Sequence, residues 1–403
     1  MRVGVLGRAS STHAAVRIRL TRSFASGYRL PGRSAAIQFN VLHYHLKLMN
    51  NKSLRSYAAA LLSALFLLGS YTVSAQPKAN RPGKSLQKWQ GIHLLDFNND
   101  ADLEALALEL PKLAAQGINF IILEVDYHFE FKSHPELRQD AKQITKAGAR
   151  KFAAESRRNG IRVIPEFQTI GHQSWAKTTF PLLTKYPQFD LTPGAFPNNE
   201  GLYCREWDVT NPEVYKIVFK LLDEIIDGFQ ADAFHIGADE IFLLGSDKSP
   251  STKGKDPGKL YAKAINDIYD HLVKKRKVEM IMWGDRLIDA KRFNWGEWEA
   301  SKNGTAAAVD MIPKDIIIAP WHYEPMKDGY PSIPMFIEKG FRVLPTSWRD
   351  PAALKLLIEY SYKRDSPKML GHLFSIWGRP RGPVSEYKPM VDGLKIIKTV
   401  EVK

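Results

Sequence analysis

Asp239 and Glu240 are adjacent carboxylates at the end of a short, mostly apolar run over residues 231–236. A run of this length, bounded by polar residues, is typical of a buried parallel strand. Two acids where a buried strand meets its loop are costly to desolvate and therefore call for a functional reason. In a barrel of strands and helices this position opens into the catalytic pocket. The alternative is a pair of acids that cap the N-terminus of a helix.

Polar and aromatic side chains also follow the other predicted strands. In a parallel barrel these positions share one rim, where functional residues lie. Aromatic faces can cover the C–H faces of a sugar ring, while carboxylates and amides bind its hydroxyl groups. The rim around Asp239 and Glu240 therefore predicts a sugar-binding pocket. Its candidate residues are His93, Asp96, Glu124, Gln168, His172, Trp283, Asp285, Trp321, Tyr323, Trp377 and Arg379.

Several rim residues also have simpler interpretations. The tryptophans could belong to the core, Asp96 could cap the first helix, and Glu166 could serve as a cap or ion-pair partner. His235 lies within its strand, which favours a buried, hydrogen-bonded histidine over a ligand. No His-x-His or His-x-x-x-His spacing occurs from Trp89 onward, so no metal site is predicted there, and no cofactor is expected.

Apolar runs of strand length alternate with amphipathic segments from Trp89 onward. The predicted strands cover residues 89–95, 118–125, 161–165, 231–236, 278–283, 316–321, 341–345 and 370–377. Predicted helices between them include 102–115, 140–158, 211–228, 259–277 and 351–363. Eight such units in one segment favour an α/β fold, a (β/α)8 barrel, as a single catalytic domain over residues 89–403. An open doubly wound sheet is the alternative, but no Gly-rich phosphate turn follows the first strand.

The chain before the barrel has the features of a targeting region. Residues 49–75 form a predicted signal peptide, with Lys52 and Arg55 ahead of an apolar core and Val73-Ser74-Ala75 as the cleavage site. The core is too short to span a bilayer comfortably, so no stable membrane insertion is expected after cleavage. Residues 1–48 are predicted to be an unstructured basic leader upstream of the true start, with an organellar transit peptide as the alternative, and residues 76–88 a linker. We expect an exported protein, either periplasmic or secreted.

Charge and cysteine content narrow the class of protein. Residues 1–75 hold ten Lys and Arg and no acid, so without them the formal net charge falls from +14 to +4. The basic character thus belongs mostly to the leader, and nucleic acid is not an expected partner. The single cysteine, Cys204, excludes internal disulfides and favours an inert residue over a nucleophile.

His235 to Glu240 resembles the His-x-Gly-x-Asp-Glu motif of glycoside hydrolase family 20, the β-N-acetylhexosaminidases. The hexosaminidase D branch is the most similar in three further stretches. These are Leu123-Glu124-Val125-Asp126 with His134-Pro135, the segment Val163 to His172 that ends in Gly-His, and Trp377-Gly378-Arg379. The family's Arg-Gly at the first strand and Trp-x-Glu at the last are here Gln90-Gly91 and Trp377-Gly378-Arg379. The preference for gluco or galacto sugars is therefore left open.

The resemblance implies retaining, exo-acting removal of terminal N-acetylglucosamine or N-acetylgalactosamine from oligosaccharides and glycoconjugates, without a cofactor. The substrate's own acetamido oxygen would attack the anomeric carbon. Asp239 would orient and stabilise the acetamido group, and Glu240 would act as general acid and base. Tyr323 would donate to the acetamido oxygen, and Trp283, Trp321 and Trp377 would line the pocket. The alternatives are a catalytically weak sugar-binding barrel and a glycosidase for sugars without the acetamido group.

Overall fold

The computed structural model describes residues 88–401. The predicted leader, the signal peptide and nearly all of the linker lie outside them and stay predictions. Within the described residues the main sheet is parallel and contains eight strands, the seventh in two pieces. They are β1 Trp89–Leu94, β2 Phe120–Glu124, β3 Arg162–Thr169, β4 Ala233–Gly237, β5 Glu279–Trp283, β6 Ile317–Ala319, β7 Arg342–Val343 with Thr346–Ser347, and β8 Gly371–Ser375.

β7 closes the sheet into a barrel. Its ladder is interrupted at Leu344 and Pro345, since proline has no N–H to donate. The Leu344 N–H nevertheless donates to the Ile318 carbonyl of β6 (2.9 Å), and the Pro345 carbonyl accepts the Leu373 N–H of β8 (3.0 Å). β8 pairs in parallel with β1, so every strand has two neighbours. The predicted (β/α)8 barrel is confirmed.

Helices follow the strands in the order that the alternating pattern predicts. They are α1 Asp100–Ala107 and α2 Leu110–Gln116 after β1, α3 Lys146–Arg158 after β2, α4 Pro181–Lys185 and α5 Pro212–Phe229 after β3, α6 Pro257–Tyr269 after β4, α7 Ala290–Phe293 after β5, α8 Ser332–Glu338 after β6, α9 Pro351–Tyr362 after β7, and α10 Lys388–Glu401 after β8. No helix among the described residues combines the length and apolar character that crossing a bilayer requires.

Local signals explain where these helices begin and break. The Asn211 side chain accepts the Glu213 N–H (3.0 Å) at the start of α5, and Pro212 occupies its first turn, where no N–H is needed. The single helix predicted over residues 102–115 is instead two helices, α1 and α2. Pro111 lies in the first turn of α2, because proline cannot continue a helix from its interior.

The inside of the barrel changes from apolar at one end to polar at the other. Its apolar layers include Phe120, Ile164, Ile281 and Leu373. Gly91 makes room for the first of these, because a Cβ there would lie 2.0 Å from Phe120 Cζ. Near the carboxyl ends of the strands the interior side chains become imidazoles, carboxylates and indoles. The fold thus places its ionisable groups where loop residues can meet them.

Candidate active site

The carboxylate pair follows β4 in a backbone conformation that most residues avoid. Gly237, Ala238 and Glu240 have φ angles of 62°, 65° and 52°. Glycine is required at 237, because a Cβ would lie 1.9 Å from Gln168 Oε1. For the other two residues this left-handed conformation costs about 1–3 kcal/mol each. Strain of this kind persists where the surrounding structure fixes a functional side chain, and here it accompanies the approach of both carboxylates to one histidine.

His172, from the loop after β3, faces both acids. Its Nε2 lies 3.5 Å from Asp239 Oδ2 and 3.1 Å from Glu240 Oε2. Burial disfavours the imidazolium, but the charge of Asp239 and the close approach of both acids outweigh it. They raise the pKa of His172 well above its usual value. A protonated His172 therefore faces both acids, which holds the pair together in a nearly buried position.

Asp285, at the end of β5, fixes the backbone of the pair. Its Oδ2 accepts the Glu240 N–H (2.9 Å) and the Nε–H of the fully buried Arg286 (2.6 Å). Burial, with the charge of Asp239, raises the pKa of Asp285 to about 6 against the opposing effect of Arg286. The Arg286 guanidinium also donates to the carbonyls of Trp298 and Ala300, each at 3.2 Å. Glu240 is thereby connected to the loop that carries Trp298.

The long segment between β3 and α5 supplies functional neighbours that the sequence did not single out. Tyr203 lies half-buried near Glu240, and burial together with the charge of that carboxylate raises the pKa of the phenol, which stays neutral. The Tyr203 ring lies 5.8 Å from that of His172. Cys204 is also buried, and burial raises the pKa of its thiol to about 12, consistent with an inert residue. No local pattern marks Tyr203, because its position depends on how this loop folds back over the barrel.

Four aromatic residues, Trp283, Trp321, Tyr323 and Trp377, form a group that we call the inner aromatic cluster. Trp283 is fully buried, and its ring centroid lies 5.9 Å from that of Trp377. Trp321 and Tyr323 are stacked at 4.9 Å. The Trp377 Nε1–H donates to the Tyr323 hydroxyl (2.8 Å), which leaves the phenol proton free to be donated elsewhere. The structure brings these four predicted residues together, while their contact with a sugar stays a prediction.

Below these indoles the barrel interior is polar. Glu166 lies between His93 (Nε2 to Oε2, 2.8 Å) and His235 (Nδ1 to Oε1, 3.0 Å), and all three are fully buried. Burial opposes ionisation of Glu166, but its interactions with His235 and His93 hold the pKa far below the usual range. Glu124, its neighbour on β2, has a pKa raised well above the usual value by burial and by the charges of Asp126 and Glu166. The interpretation of His235 as a buried, hydrogen-bonded histidine is confirmed.

Gln168 and Asp126 connect this layer to the rim. The Gln168 N–H donates to Asp126 Oδ1 (2.7 Å), and the Gln168 side chain lies 3.5 Å from Glu166 Oε1. Burial raises the pKa of Asp126 to about 7, although the Gln168 hydrogen bond lowers it. β3 continues to Thr169 rather than ending at residue 165, so Gln168 lies within the strand and not just past it.

Among residues 88–401, two groups of donor atoms, each within 4.8 Å, have ligand types that could hold a divalent cation: His93 with Glu124 and Glu166, and His172 with Asp239 and Glu240. In each group a histidine nitrogen already lies at hydrogen-bond distance from a carboxylate oxygen, 2.8 Å in the first and 3.1 Å in the second. Charge is therefore largely balanced by the protein itself. The absence of a metal stays a prediction.

Asp96 and Arg379, two further predicted rim residues, lie together between the loops that follow β1 and β8. The Arg379 guanidinium donates to the Asp96 carbonyl and to Asp102 Oδ1 (2.8 Å), and it covers the Phe97 ring at 4.4 Å. These contacts join the two loops and do not reach the carboxylate pair. A role for either residue in substrate binding stays a prediction.

Glu206 is a buried acid beside the site whose ionisation gives a testable pH dependence. It is fully buried, and its Oε1 accepts the N–H groups of Phe242 (2.7 Å) and Leu243 (2.8 Å). Burial raises its pKa to about 7, against the effect of these hydrogen bonds. The folded state therefore holds the proton more tightly than the unfolded chain. The resulting stability is complete below the unfolded pKa of about 4.3 and is lost as the pH rises toward 7.

Glu206→Gln keeps one acceptor oxygen for the two N–H groups and removes the titration. We expect the free energy of unfolding to decrease as the pH rises from 4.5 to 8. This decrease should be about 1–3 kcal/mol smaller in the variant than in the wild type. Urea denaturation at each pH measures both curves. Glu200→Gln, at an exposed position, should give a curve parallel to the wild type. A parallel curve for Glu206→Gln would contradict the assignment.

A closed (β/α)8 barrel with a carboxylate pair at the carboxyl ends of its strands, together with a cluster of indoles inside the barrel, has the architecture of a glycoside hydrolase. The family model described as glycosyl hydrolase family 20, catalytic domain, matches residues 33–348. This match covers more than half of the chain. The chain therefore belongs to glycosyl hydrolase family 20.

Curated relatives and solved structures agree with this membership. The chain is 24% identical over 292 residues to a lacto-N-biosidase of Bifidobacterium bifidum, covering 68% of this chain and 23% of the relative. It is 23% identical over 299 residues to a beta-hexosaminidase of Emericella nidulans, covering 65% and 43%. The chain thus spans less than half the length of these relatives.

Two solved structures show the same fold. A β-N-acetylhexosaminidase from Bacteroides fragilis aligns with a TM-score of 0.56 at 14% identity, covering 77% of this chain and 66% of that one. The Flavobacterium johnsoniae chitobiase aligns with a TM-score of 0.52 at 19% identity, covering 78% and 51%.

Proposed function

We propose that the protein is a retaining β-N-acetylhexosaminidase that removes terminal N-acetylhexosamine from oligosaccharides or glycoconjugates with help from the substrate's acetamido group. One observation carries the proposal. Asp239 is almost fully buried, and its Oδ1 has no hydrogen-bond partner among residues 88–401. A buried carboxylate oxygen without a donor is costly, so it suits a ligand that brings an N–H group of its own. A 2-acetamido sugar brings one.

In the first step the acetamido carbonyl oxygen bonds to the anomeric carbon, and the bond from that carbon to the glycosidic oxygen breaks. Glu240 gives its proton to the departing oxygen. The ring that forms is an oxazolinium cation, whose positive charge and N–H group face Asp239. The neutral Tyr323 phenol is a suitable donor to the acetamido oxygen, because its own oxygen already accepts from Trp377.

In the second step a water molecule adds to the anomeric carbon from the side that the leaving group vacated. Glu240, now ionised, takes the proton from this water, and the oxazolinium ring opens to restore the acetamido group. Two inversions give net retention of configuration. His172 lies within 3.5 Å of both acids and compensates the charge that Glu240 gains.

Activity on paired nitrophenyl glycosides tests this proposal. The wild-type protein should release nitrophenol from the N-acetyl-β-glucosaminide or the N-acetyl-β-galactosaminide. It should act on the β-glucoside, which has no acetamido nucleophile, at least about 10³-fold more slowly. An N-acetylhexosamine thiazoline, which imitates the oxazolinium, should inhibit competitively.

Each failure points to a different protein. Equal turnover of the β-glucoside without thiazoline inhibition would assign a glycosidase that does not use the acetamido group. Binding of the thiazoline without any nitrophenol release would assign a sugar-binding barrel. Chromatography of the products of a longer oligosaccharide checks that single terminal rings are removed.

A further inference from the structure

A groove of about 470 Å³ lies at the amino ends of β4 and β5, whereas the acid pair follows the carboxyl end of β4. The groove is lined by the residues directly before these two strands, numbers 231–232 and 276–278, by α3 and by the end of α5. The five residues of β4 span about 16 Å. A sugar ring held by the acid pair therefore does not reach this groove.

Three basic side chains converge on the groove without an acid of their own. Lys146 and Arg150 come from α3, and Lys277 comes from the segment between α6 and β5. All three are exposed, and their side chains form no ion pair or hydrogen bond among residues 88–401. We call this site the basic groove. Like charges that converge without a counter-charge repel one another, so an anion that binds among them is stabilised.

The acids of the basic groove are already paired with arginines. Asp232 Oδ1 accepts the Arg162 Nε–H (2.7 Å). Asp227 is paired with Arg276, whose Nη1 also lies 3.3 Å from Asp223 Oδ1. The ten lining residues contain four bases and only these two acids. The positive charge of the groove is therefore not cancelled by the protein itself.

The basic groove suits a ligand with several anionic groups. The planar guanidinium of Arg150 can pair with two oxygens of a sulfate or carboxylate, while the two lysines act as point charges. Gln230 Oε1 accepts a hydrogen bond from Arg157 (2.9 Å), which leaves the amide NH₂ free to donate. Cations on separate elements, each on a long exposed stem, match charges spread along a chain better than one small ion.

A bilayer or a single-stranded nucleic acid fits the basic groove less well than an acidic polysaccharide. Membrane-surface sites combine basic residues with apolar side chains that enter the lipid. None of the four large exposed hydrophobic residues among residues 88–401 lines the groove. Unpaired bases stack on aromatic faces, and no aromatic residue lines it either. An acidic polysaccharide needs cations and hydrogen-bonding groups, and the groove provides both.

We infer that the basic groove binds a chain of an acidic polysaccharide, at a site separate from the acid pair. Such a chain holds the protein on an anionic glycan while the acid pair stays open to substrate. This inference goes beyond the proposed function and does not depend on it. The probe is a heparin hexasaccharide, and maltohexaose is the uncharged chain of equal length.

Calorimetry at low salt should detect binding of the heparin hexasaccharide and none of maltohexaose. The affinity should fall as sodium chloride is added, because salt screens the contacts and opposes the release of counterions. An N-acetylhexosamine thiazoline at saturating concentration should leave heparin binding unchanged, since it occupies the other end of the barrel. Displacement of heparin by the thiazoline would place the chain at the acid pair and overturn the inference.

Variants of the basic groove give the decisive comparison. The triple variant Lys146→Gln, Arg150→Gln, Lys277→Gln should weaken heparin binding by about 10- to 100-fold, the effect of three exposed ionic contacts. Each single variant should weaken it by about 2- to 5-fold, which preserves the test if the triple variant does not fold. The matched control removes three exposed lysines from α4, α6 and α9 and should retain most of the affinity; its changes are Lys185→Gln, Lys259→Gln and Lys355→Gln.

Three other outcomes would overturn the inference. Equal weakening in the groove variants and the matched control would show that heparin responds only to net charge. Inorganic sulfate that binds as tightly as the hexasaccharide would assign the groove to a single small anion. Phosphatidylglycerol vesicles that bind more tightly than heparin, with the same loss in the groove variants, would assign it to a membrane. Turnover of a nitrophenyl N-acetyl-β-glucosaminide tests the proposed function separately and should be equal in the wild type and the groove variants.

Discussion

Glu240→Gln is expected to lower kcat/KM for the N-acetylglucosamine disaccharide by about 10²- to 10⁴-fold, the usual contribution of a general acid. The amide keeps the size of the side chain and its position beside His172 and Tyr203, but it has no acidic proton to give. A sugar leaving group departs poorly as an alkoxide, so the loss should be nearly complete for this substrate. N-acetyl-β-glucosaminyl azide, a substrate with the same sugar and azide as its leaving group, should lose much less, because kcat/KM reports the first step and azide departs without protonation.

Purified variants assayed on both substrates measure this contrast. Glu213→Gln, at an exposed position in the first turn of α5, is the matched control and should behave as wild type. A variant at 240 that still cleaves the disaccharide at close to the wild-type rate would remove Glu240 from the reaction. Equal losses on the two substrates would show that it acts on the sugar ring rather than on the leaving group.

The features that the sequence predicts correctly are those with a local physical cause. The strand before Asp239 is buried on both faces and therefore appears as an apolar run, and the alternation of such runs with amphipathic segments determines the barrel. Asn211 and Pro212 place the start of α5 because capping depends on neighbouring backbone groups. The predicted limits of β3 and β7 are wrong, and these errors also have a local cause. Pro345 interrupts β7, while β3 continues past Pro165.

The neighbours of the acid pair could not be predicted, because they depend on contacts between distant segments. Tyr203 lies near Glu240 only because the chain between β3 and α5 returns to the loop after β4. Arg286 adjoins the predicted residue Asp285 in sequence, yet its function depends on the loop of residues 297–300 returning to it. Glu166 was open to interpretation as a cap or an ion-pair partner. The imidazoles that keep it ionised come from β1 and β4.

Asp239→Asn should produce a different pattern from Glu240→Gln. Asp239 faces the acetamido group rather than the leaving group, so its charge stabilises the oxazolinium whichever group departs. We expect kcat/KM to fall by about 10²- to 10³-fold for the disaccharide and the azide alike, the usual effect of losing one preorganised electrostatic partner. Asparagine can still accept the acetamido N–H, but it brings no negative charge to the cation.

The affinity for an N-acetylhexosamine thiazoline provides the second measurement for this variant. The inhibitor resembles the charged intermediate, so Asp239→Asn should weaken its binding by a factor close to the loss in kcat/KM, whereas Glu240→Gln should weaken it less. Asp247→Asn, at a largely exposed carboxylate in the loop after β4, is the control and should change neither quantity. If the loss in kcat/KM caused by Asp239→Asn depended on the leaving group, Asp239 would be the proton donor. The two adjacent acids would then have to exchange the functions proposed for them, because only a proton donor is sensitive to how readily the leaving group departs.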